Sequence, residues 1–253
     1  MIEARLHSIE TMGLVDGPGI RTVFFLQGCP LRCVYCHNPD SQNMFSNKRI
    51  TPDEVVDIAL KYKPYYDSTG GGVTFSGGEP LLQGEFLLES IKKLKEVGIT
   101  TAIDTTGFGS QRYIKEILKH VDIVLLDIKH FDEKGYKDVT GKGMGAFNKF
   151  FSQLDDFHGI LWLRHVMVPS ITDNIESIES LFNRVAHLAD KIDRFEILPY
   201  HNMAIDKYKQ LGMEYPLGDT PEMDKEKAKE FEDILAKMLG EQNIRKDMNK
   251  EVV

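Results

Sequence analysis

The sequence predicts an α/β protein: a partial (β/α)6 TIM-like barrel, open on one side, with a short N-terminal strand ahead of it and a C-terminal helix behind it. Three observations carry this. Six short apolar, β-rich runs alternate with helix-period segments along the chain. No repeat, low-complexity tract or Pro/Gly/Ser-rich linker interrupts them, so residues 1–253 read as one domain, with the barrel core over about 20–201 and the last helix over about 222–240. The unusual polar residues stand where the strands end. Alternation alone also permits a doubly wound sheet. The placement of the polar groups favours the barrel, because only a barrel turns six strand ends towards one cavity.

Residues 4–10 alternate weakly and predict the leading strand, and Asp16-Gly17-Pro18-Gly19 is a turn. Thr22–Leu26 is a buried strand that delivers the chain to Gly28 and Cys29. Thr51 caps a helix with Pro52 in its first turn and Glu54 completing a capping box, and that helix runs towards Lys63. Gly70–Gly72 breaks it, and Val73–Phe75 is the second strand. Phe86, Leu87, Ile91, Leu94 and Val97 mark the core face of the next helix. Thr100–Asp104 is the third strand, Tyr113–Lys119 a short helix and Ile123–Leu126 the fourth strand. Phe147–Phe157 reads as a helix, Ile160–Val168 as the fifth strand, and Thr172–Asn174 caps a helix with Ile178, Leu181, Val185 and Leu188 on one side. Phe195–Leu198 is the sixth strand. The terminal helix should turn Phe231, Ile234, Leu235 and Met238 inward, and the polar tail from Gln242 should fray.

Composition is that of an ordinary globular chain, 42% apolar and 28% charged. No apolar run nears the roughly 20 residues needed to cross a bilayer, and the N-terminus lacks an export segment, so a cytoplasmic protein without a membrane partner is expected. The net charge of −8 disfavours nucleic acid. The charge is uneven, however. Residues 1–50 hold five Lys/Arg and four Asp/Glu, a net of +1, so the remainder carries −9. A less acidic face near the cysteines could receive an acidic partner; chance clustering of solvated charges is the plain alternative.

All three cysteines, Cys29, Cys33 and Cys36, fall within eight positions. Thiolates so close fit a shared soft metal centre, most simply a four-iron cluster with one iron left without a cysteine. Zinc is the rival, but a fourth ligand would have to be His37, and neighbouring residues chelate one tetrahedral ion poorly. Cys33-Val-Tyr-Cys36-His37 also spells a haem c attachment pattern, which belongs to exported proteins. A disulfide is disfavoured by the odd count and the absent signal segment.

The remaining motifs each have a plain reading and a functional one. Ser76-Gly77-Gly78-Glu79-Pro80 is a turn, or a bare backbone that a ligand amine can approach while Glu79 orders it. Asp127 and Lys129 form an ion pair, or serve a ligand from one strand face after an apolar run. Asp104 and Thr105 cap the next segment, or hold a small cation. His201 is a surface histidine or a ligand contact, and Tyr35 shields the centre or stacks on an adenine.

Together these residues resemble the radical S-adenosylmethionine superfamily. Cys29, Cys33, Tyr35 and Cys36 fit its Cys-x3-Cys-x-aromatic-Cys signature, and Gly77–Pro80 is similar to its GGEP segment. Gly17-Pro18-Gly19-Ile20-Arg21, Phe25, Gly28, the cysteines and Asn38 resemble the narrower signature of glycyl-radical-enzyme activases. Asp127-Ile128-Lys129, Leu198–His201 and Tyr208–Pro216 look most like those activases whose partner is pyruvate formate-lyase.

The resemblance implies one 4Fe-4S cluster on Cys29, Cys33 and Cys36, with S-adenosylmethionine chelating the open iron. One-electron reduction splits the sulfonium into methionine and a 5′-deoxyadenosyl radical, which takes hydrogen from a glycine of the partner under anaerobic conditions. It maps cofactor contacts onto Tyr35, Cys36, His37, Gly78, Glu79, Asp127, Ile128, Lys129 and His201, and a sodium or potassium site onto Asp104, Thr105 and Asp127. Asp16 and His37 lie where the family meets the substrate loop, and no side chain of the chain is itself the reactive group. With no cysteine left for a second cluster, the chain should depend on flavodoxin or ferredoxin as electron donor, and it is expected to act as a monomer. The competing functions are activation of another glycyl radical enzyme, radical chemistry on a small molecule, and a non-enzymatic zinc-binding module.

Overall fold

The computed structural model describes residues 2–240, so the expected tail from Gln242 lies outside the described residues. Strand β1 (Ala4–Gly13) folds back antiparallel on β2 (Arg21–Leu26), and the two-residue β3 (Arg49–Ile50) pairs with the outer edge of β1. Helix α1 (Pro52–Thr69) starts on the Thr51/Glu54 capping box, as expected. It runs past Lys63 and through Pro64, because Tyr66 in its last turn is buried and hydrogen-bonded to Thr22 of β2. Then come β4 (Gly72–Gly77), α2 (Gly84–Glu96), β5 (Thr100–Thr105), α3 (Gln111–His120) and β6 (Ile123–Asp127).

Between β6 and β7 (Ile160–Met167) lie two helices, α4 (Glu133–Thr140) and α5 (Gly145–Phe151). The expected helix over Phe147–Phe157 ends at Phe151. Helix α4 was not anticipated from the sequence, because Gly135 sits mid-helix and masks the period. Helix α6 (Ile175–Val185) starts at its Asn174 cap, followed by β8 (Ile192–Pro199), the short and equally unanticipated α7 (Ile205–Gln210), and α8 (Lys225–Gly240).

The strand order is β3-β1-β2-β4-β5-β6-β7-β8, and from β2 to β8 every pair is parallel. The sheet therefore contains the six parallel strands of a (β/α)6 barrel and stays open. Its β8 edge is covered by α8, whose Glu232 accepts the Ile197 N–H at 2.8 Å and so satisfies an edge donor. On α8 it is Ala228, Leu235 and Leu239 that are buried, while Ile234, expected inward, is 39% exposed.

Strand periodicity sorts the side chains into two sets. Phe24, Phe75, Ile103 and Val124 join the core under the helices, with Phe86, Ile91 and Ile114. Ala102, Ile123, Leu125 and Trp162 make a separate small core. On the same alternation as Ala102, Leu125 and Trp162, one step nearer the C-terminal rim, come Asp104, Asp127 and Arg164. The inner face thus changes from apolar to ionic at the height where the site begins.

Candidate active site

The cysteine loop leaves β2 at Gln27 and is fastened on three sides. Gly28 donates to the Ser41 carbonyl (2.8 Å) and accepts from the Glu79 N–H (2.9 Å). Arg32 and Val34 donate their N–H groups to Thr140 O (2.8 Å) and Val139 O (2.9 Å), carbonyls that the end of α4 would otherwise leave unpaired. Lys207 of α7 reaches the His37 carbonyl and Asn38 Oδ1. Gly77 and Gly78 must be glycine because a Cβ on Gly77 would stand 2.3 Å from Leu26 N, and one on Gly78 would stand 2.3 Å from the Gly28 carbonyl. The Gly-Gly turn and the cysteine loop therefore touch backbone to backbone.

Cys29, Cys33 and Cys36 open on one cavity of about 240 Å³, shared with Tyr35, His37, Gly77, Gly78, Asp104, Asp127, Lys129 and Arg164. Burial, the charge of Glu79 and the other two thiols push Cys29 up to about 12, and burial pushes Cys33 up to about 11 although Lys129 opposes it. Such thiols become thiolates only against a positive centre. Among the described residues no three His, Cys, Asp or Glu side chains converge on a single ion. The three thiols line the same cavity, as the ligands of one shared soft metal centre must. A larger hollow of about 1180 Å³ around Asp122, Gly159 and Lys191 lies at the opposite ends of the strands and contains none of these groups.

An ionic network forms the far wall. Asp104 accepts from Ser76 Oγ at 2.8 Å and pairs with Arg164; Asp127 accepts from Arg164 Nε at 3.0 Å and from Lys129 Nζ at 2.8 Å. Burial alone would raise Asp127, but Arg164 and Lys129 outweigh it and hold the carboxyl at about 2. Burial wins at Asp104 and raises it despite Arg164. Two carboxylates thus face two cations, and Lys129 also lies 5.6 Å from the centre of the Tyr35 ring. At the mouth, His37 stacks on His201 (centroids 4.0 Å apart), and burial and His201 lower its pKa. His201 Nδ1 is buried without a partner among the described residues. Burial and Asp104 raise Asp16, on the β1–β2 turn, to about 6.

Four of the expected contact residues direct their side chains away from the cavity or stand behind another residue. Glu79 does not line the cavity: its carboxylate accepts from Leu81 N, Thr105 Oγ1, Thr106 N and Thr106 Oγ1, so it ties the turn to the end of β5. Ile128 is fully buried, its N–H on Arg164 O and its carbonyl on His165 Nδ1. Thr105 lines the cavity, but its hydroxyl donates to Glu79 and so is turned from Asp104, as neighbouring strand residues must be. His201 reaches the cavity only through His37. The sequence assigns no role to Arg164, and Arg21 enters it only as the last residue of the Gly17–Arg21 stretch. Arg21 is fully buried and donates to Thr74 Oγ1, Val73 O, Thr100 O and Pro18 O. An arginine at the start of an apolar strand was the available signal.

Residues 23–185 match the family model described as Radical SAM superfamily. The chain is 53% identical to the pyruvate formate-lyase-activating enzyme of Clostridium pasteurianum, over 94% of this chain and all of the relative. It is 45% identical to that of Staphylococcus epidermidis (strain ATCC 12228 / FDA PCI 1200), over 91% of this chain and 94% of the relative. Among solved structures, SuiB of Streptococcus suis bound to S-adenosylmethionine superposes with a TM-score of 0.66 at 16% identity, over 86% of this chain and 46% of that one, which is a likeness of fold. The chain belongs to the radical SAM superfamily and, within it, to the family of pyruvate formate-lyase-activating enzymes.

Proposed function

We infer that this chain activates pyruvate formate-lyase under anaerobic conditions by generating a glycyl radical on it. The observation that carries the reading is the single polar cavity on which all three cysteines, the Gly77–Gly78 turn and the Asp127–Lys129 pair open. When bound, a 4Fe-4S cluster and S-adenosylmethionine supply the reductive cleavage to methionine and a 5′-deoxyadenosyl radical that takes hydrogen from the partner's glycine. The chain's own residues bind, orient and exclude water. Cys29, Cys33 and Cys36 would hold the cluster through three of its irons, leaving the fourth for the nucleotide. Gly78 leaves its backbone bare to the methionyl amine. Lys129, held by Asp127, offers a fixed positive charge among the cofactor's polar groups, and Tyr35 closes the wall beneath it. Neutral His37 with His201 at the mouth, and Asp16 on its turn, are the contacts we assign to the incoming glycine loop.

A sodium or potassium ion is assigned to Asp104, Thr105 and Asp127: each carboxylate oxygen already has one partner in Ser76, Arg164 or Lys129 and keeps a second lone pair for the ion. With three cysteines the chain has no second cluster, so we assign flavodoxin or ferredoxin as its electron donor. We assign the monomer as the acting unit. No described helix is long and apolar enough to cross a membrane. Reduced thiols and an open iron call for the cytoplasm.

The test is anaerobic reconstitution with iron and sulfide, then S-adenosylmethionine, reductant and pyruvate formate-lyase. We expect stoichiometric methionine and 5′-deoxyadenosine and an organic radical by electron paramagnetic resonance. A protein that takes up one zinc, no sulfide, and cleaves nothing would refute the reading.

A further inference from the structure

We propose that the surface carrying Lys48 and Arg49 beside the exposed Met44 and Phe45, with Arg5 and Arg32 against the adjoining cysteine loop, is the docking site for an acidic one-electron donor protein. The proposal rests on the functional reading above and adds where the electron enters.

The surface adjoins the cysteine loop from outside. A Cβ on Gly28 would meet Met44 Sδ at 2.9 Å and Arg5 Nη2 at 3.8 Å, so both stand against the residue before Cys29. Cys29 donates its N–H to Gln42 O, and Arg32 Nη1 donates to Cys29 O at 2.8 Å. Neither Phe45 nor any of the four cations lines the inner cavity, so the face is separate from the route a glycine must take. Phe45 is 84% exposed and Met44 44% exposed, an apolar centre with a charged rim, the anatomy of a protein interface.

The charges are available. Lys48 and Arg49 bond only to main-chain carbonyls, His7 O and Ser46 O, and none of the four cations has a carboxylate within ion-pair distance among the described residues. Of the acids close in sequence, Asp40 is engaged with His7, Asp53 with Lys93 and Glu54 with Thr51, which leaves the exposed Glu3 without a partner among the described residues. On a chain of net charge −8, a basic face beside the redox centre selects an acidic partner. The exchange is simple: the donor loses one electron, the iron–sulfur centre gains it, and no bond forms or breaks.

The test reads flavodoxin binding to the cluster-free protein by calorimetry, which both variants below should weaken about tenfold or more, and compares two reductants on the reconstituted enzyme, reduced flavodoxin and reduced methyl viologen, by 5′-deoxyadenosine formation from low to high salt. For the charge-reversed double variant K48E/R49E, and separately for F45S, the flavodoxin-driven rate should fall about tenfold or more at low salt. The double variant should also lose the salt dependence of the wild type, while the dye-driven rate stays unchanged. Unchanged flavodoxin kinetics in both variants would overturn the proposal. So would an equal fall with both reductants, or a normal nucleoside yield with lost glycyl radical, which would hand the face to the activated enzyme. No 5′-deoxyadenosine from wild type with either reductant would sink the functional reading, and the docking proposal with it.

Discussion

Glu79 separates a structural from a ligand-contacting role most sharply. Its carboxylate is 1% exposed and accepts four hydrogen bonds: Leu81 N at 3.0 Å and Thr105 Oγ1 at 2.6 Å on one oxygen, Thr106 N at 2.8 Å and Thr106 Oγ1 at 2.6 Å on the other. In Glu79→Gln one oxygen becomes an NH2. Either hydroxyl can rotate to accept from it, but whichever side it occupies, one backbone N–H loses its acceptor. A buried orphan donor costs about 1–3 kcal/mol, and replacing charge-assisted bonds by neutral ones adds about 1 kcal/mol. The sum is about 2–4 kcal/mol, or roughly 5–15 °C in Tm for a chain of this size. Thermal unfolding of the metal-free protein under argon, followed by circular dichroism, reads this without the cofactor. A Tm within about 2 °C of wild type, well under that range, together with lost S-adenosylmethionine binding by the reconstituted variant, would refute the argument and return Glu79 to the cofactor contacts.

Lys129→Ala should leave iron and sulfide content intact and slow S-adenosylmethionine cleavage roughly 10–100-fold, the loss of one charged hydrogen bond at about 1.5–3 kcal/mol; unaltered kinetics would remove Lys129 from the site. Arg21→Met frees the carbonyls of Pro18, Val73 and Thr100 and loosens the turn carrying Asp16, so glycyl radical yield should fall more than nucleoside yield in the absence of partner. Arg21→Lys should not restore it, since an ammonium lacks the planar fork; equal losses in both assays would show a general folding defect instead. Burial lowers His165 to about 4 while its Nδ1–H holds the Ile128 carbonyl at 2.7 Å. The folded-state pKa lies below the unfolded one, so this stability is present above about pH 6.5 and is lost as pH falls towards about 4, about 3 kcal/mol in all. His165→Phe should flatten that limb of the stability–pH curve, measured by urea unfolding; an unchanged slope would show that other groups drive it.

Legibility depended on where each signal resides. The six parallel strands, the Thr51 cap and the cysteine loop were readable because each depends on neighbours in sequence: an apolar run, a capping pair, three thiols in eight positions. Helices α4 and α7 were not, because Gly135 interrupts one and the other has only six residues, too few for a period to declare itself. At the site, Asp104, Asp127 and Lys129 stood out as charges at the ends of apolar strands. The side chains of Glu79 and Ile128 stand one step from the cavity. Both belong to motifs that touch the cavity, yet the turn sends the carboxylate of Glu79 to Thr105 and Thr106, and the strand alternation sends Ile128 into the core.

The residues the sequence hid share a physical cause. Arg21, Arg164 and His165 take their roles from partners 37 to 79 positions away along the chain: Arg21 from Thr74, Val73 and Thr100, Arg164 from Asp104 and Asp127, His165 from Ile128. A cation in an apolar strand signals that a partner exists, because an unpaired buried charge is too expensive to keep. It does not say which partner. Register supplies that: pairing Asp127 with Arg164 across β6 and β7, and Asp104 with Leu125 across β5 and β6, sets both carboxylates and the guanidinium on one face, with Asp104 one same-face step below the Asp127–Arg164 pair. A one-residue slip of β7 would turn Arg164 into the helix layer and expel His165 into the cavity. The ionic wall is therefore a statement about strand register, and the cysteine loop opposite it can assemble a working site only where that register holds.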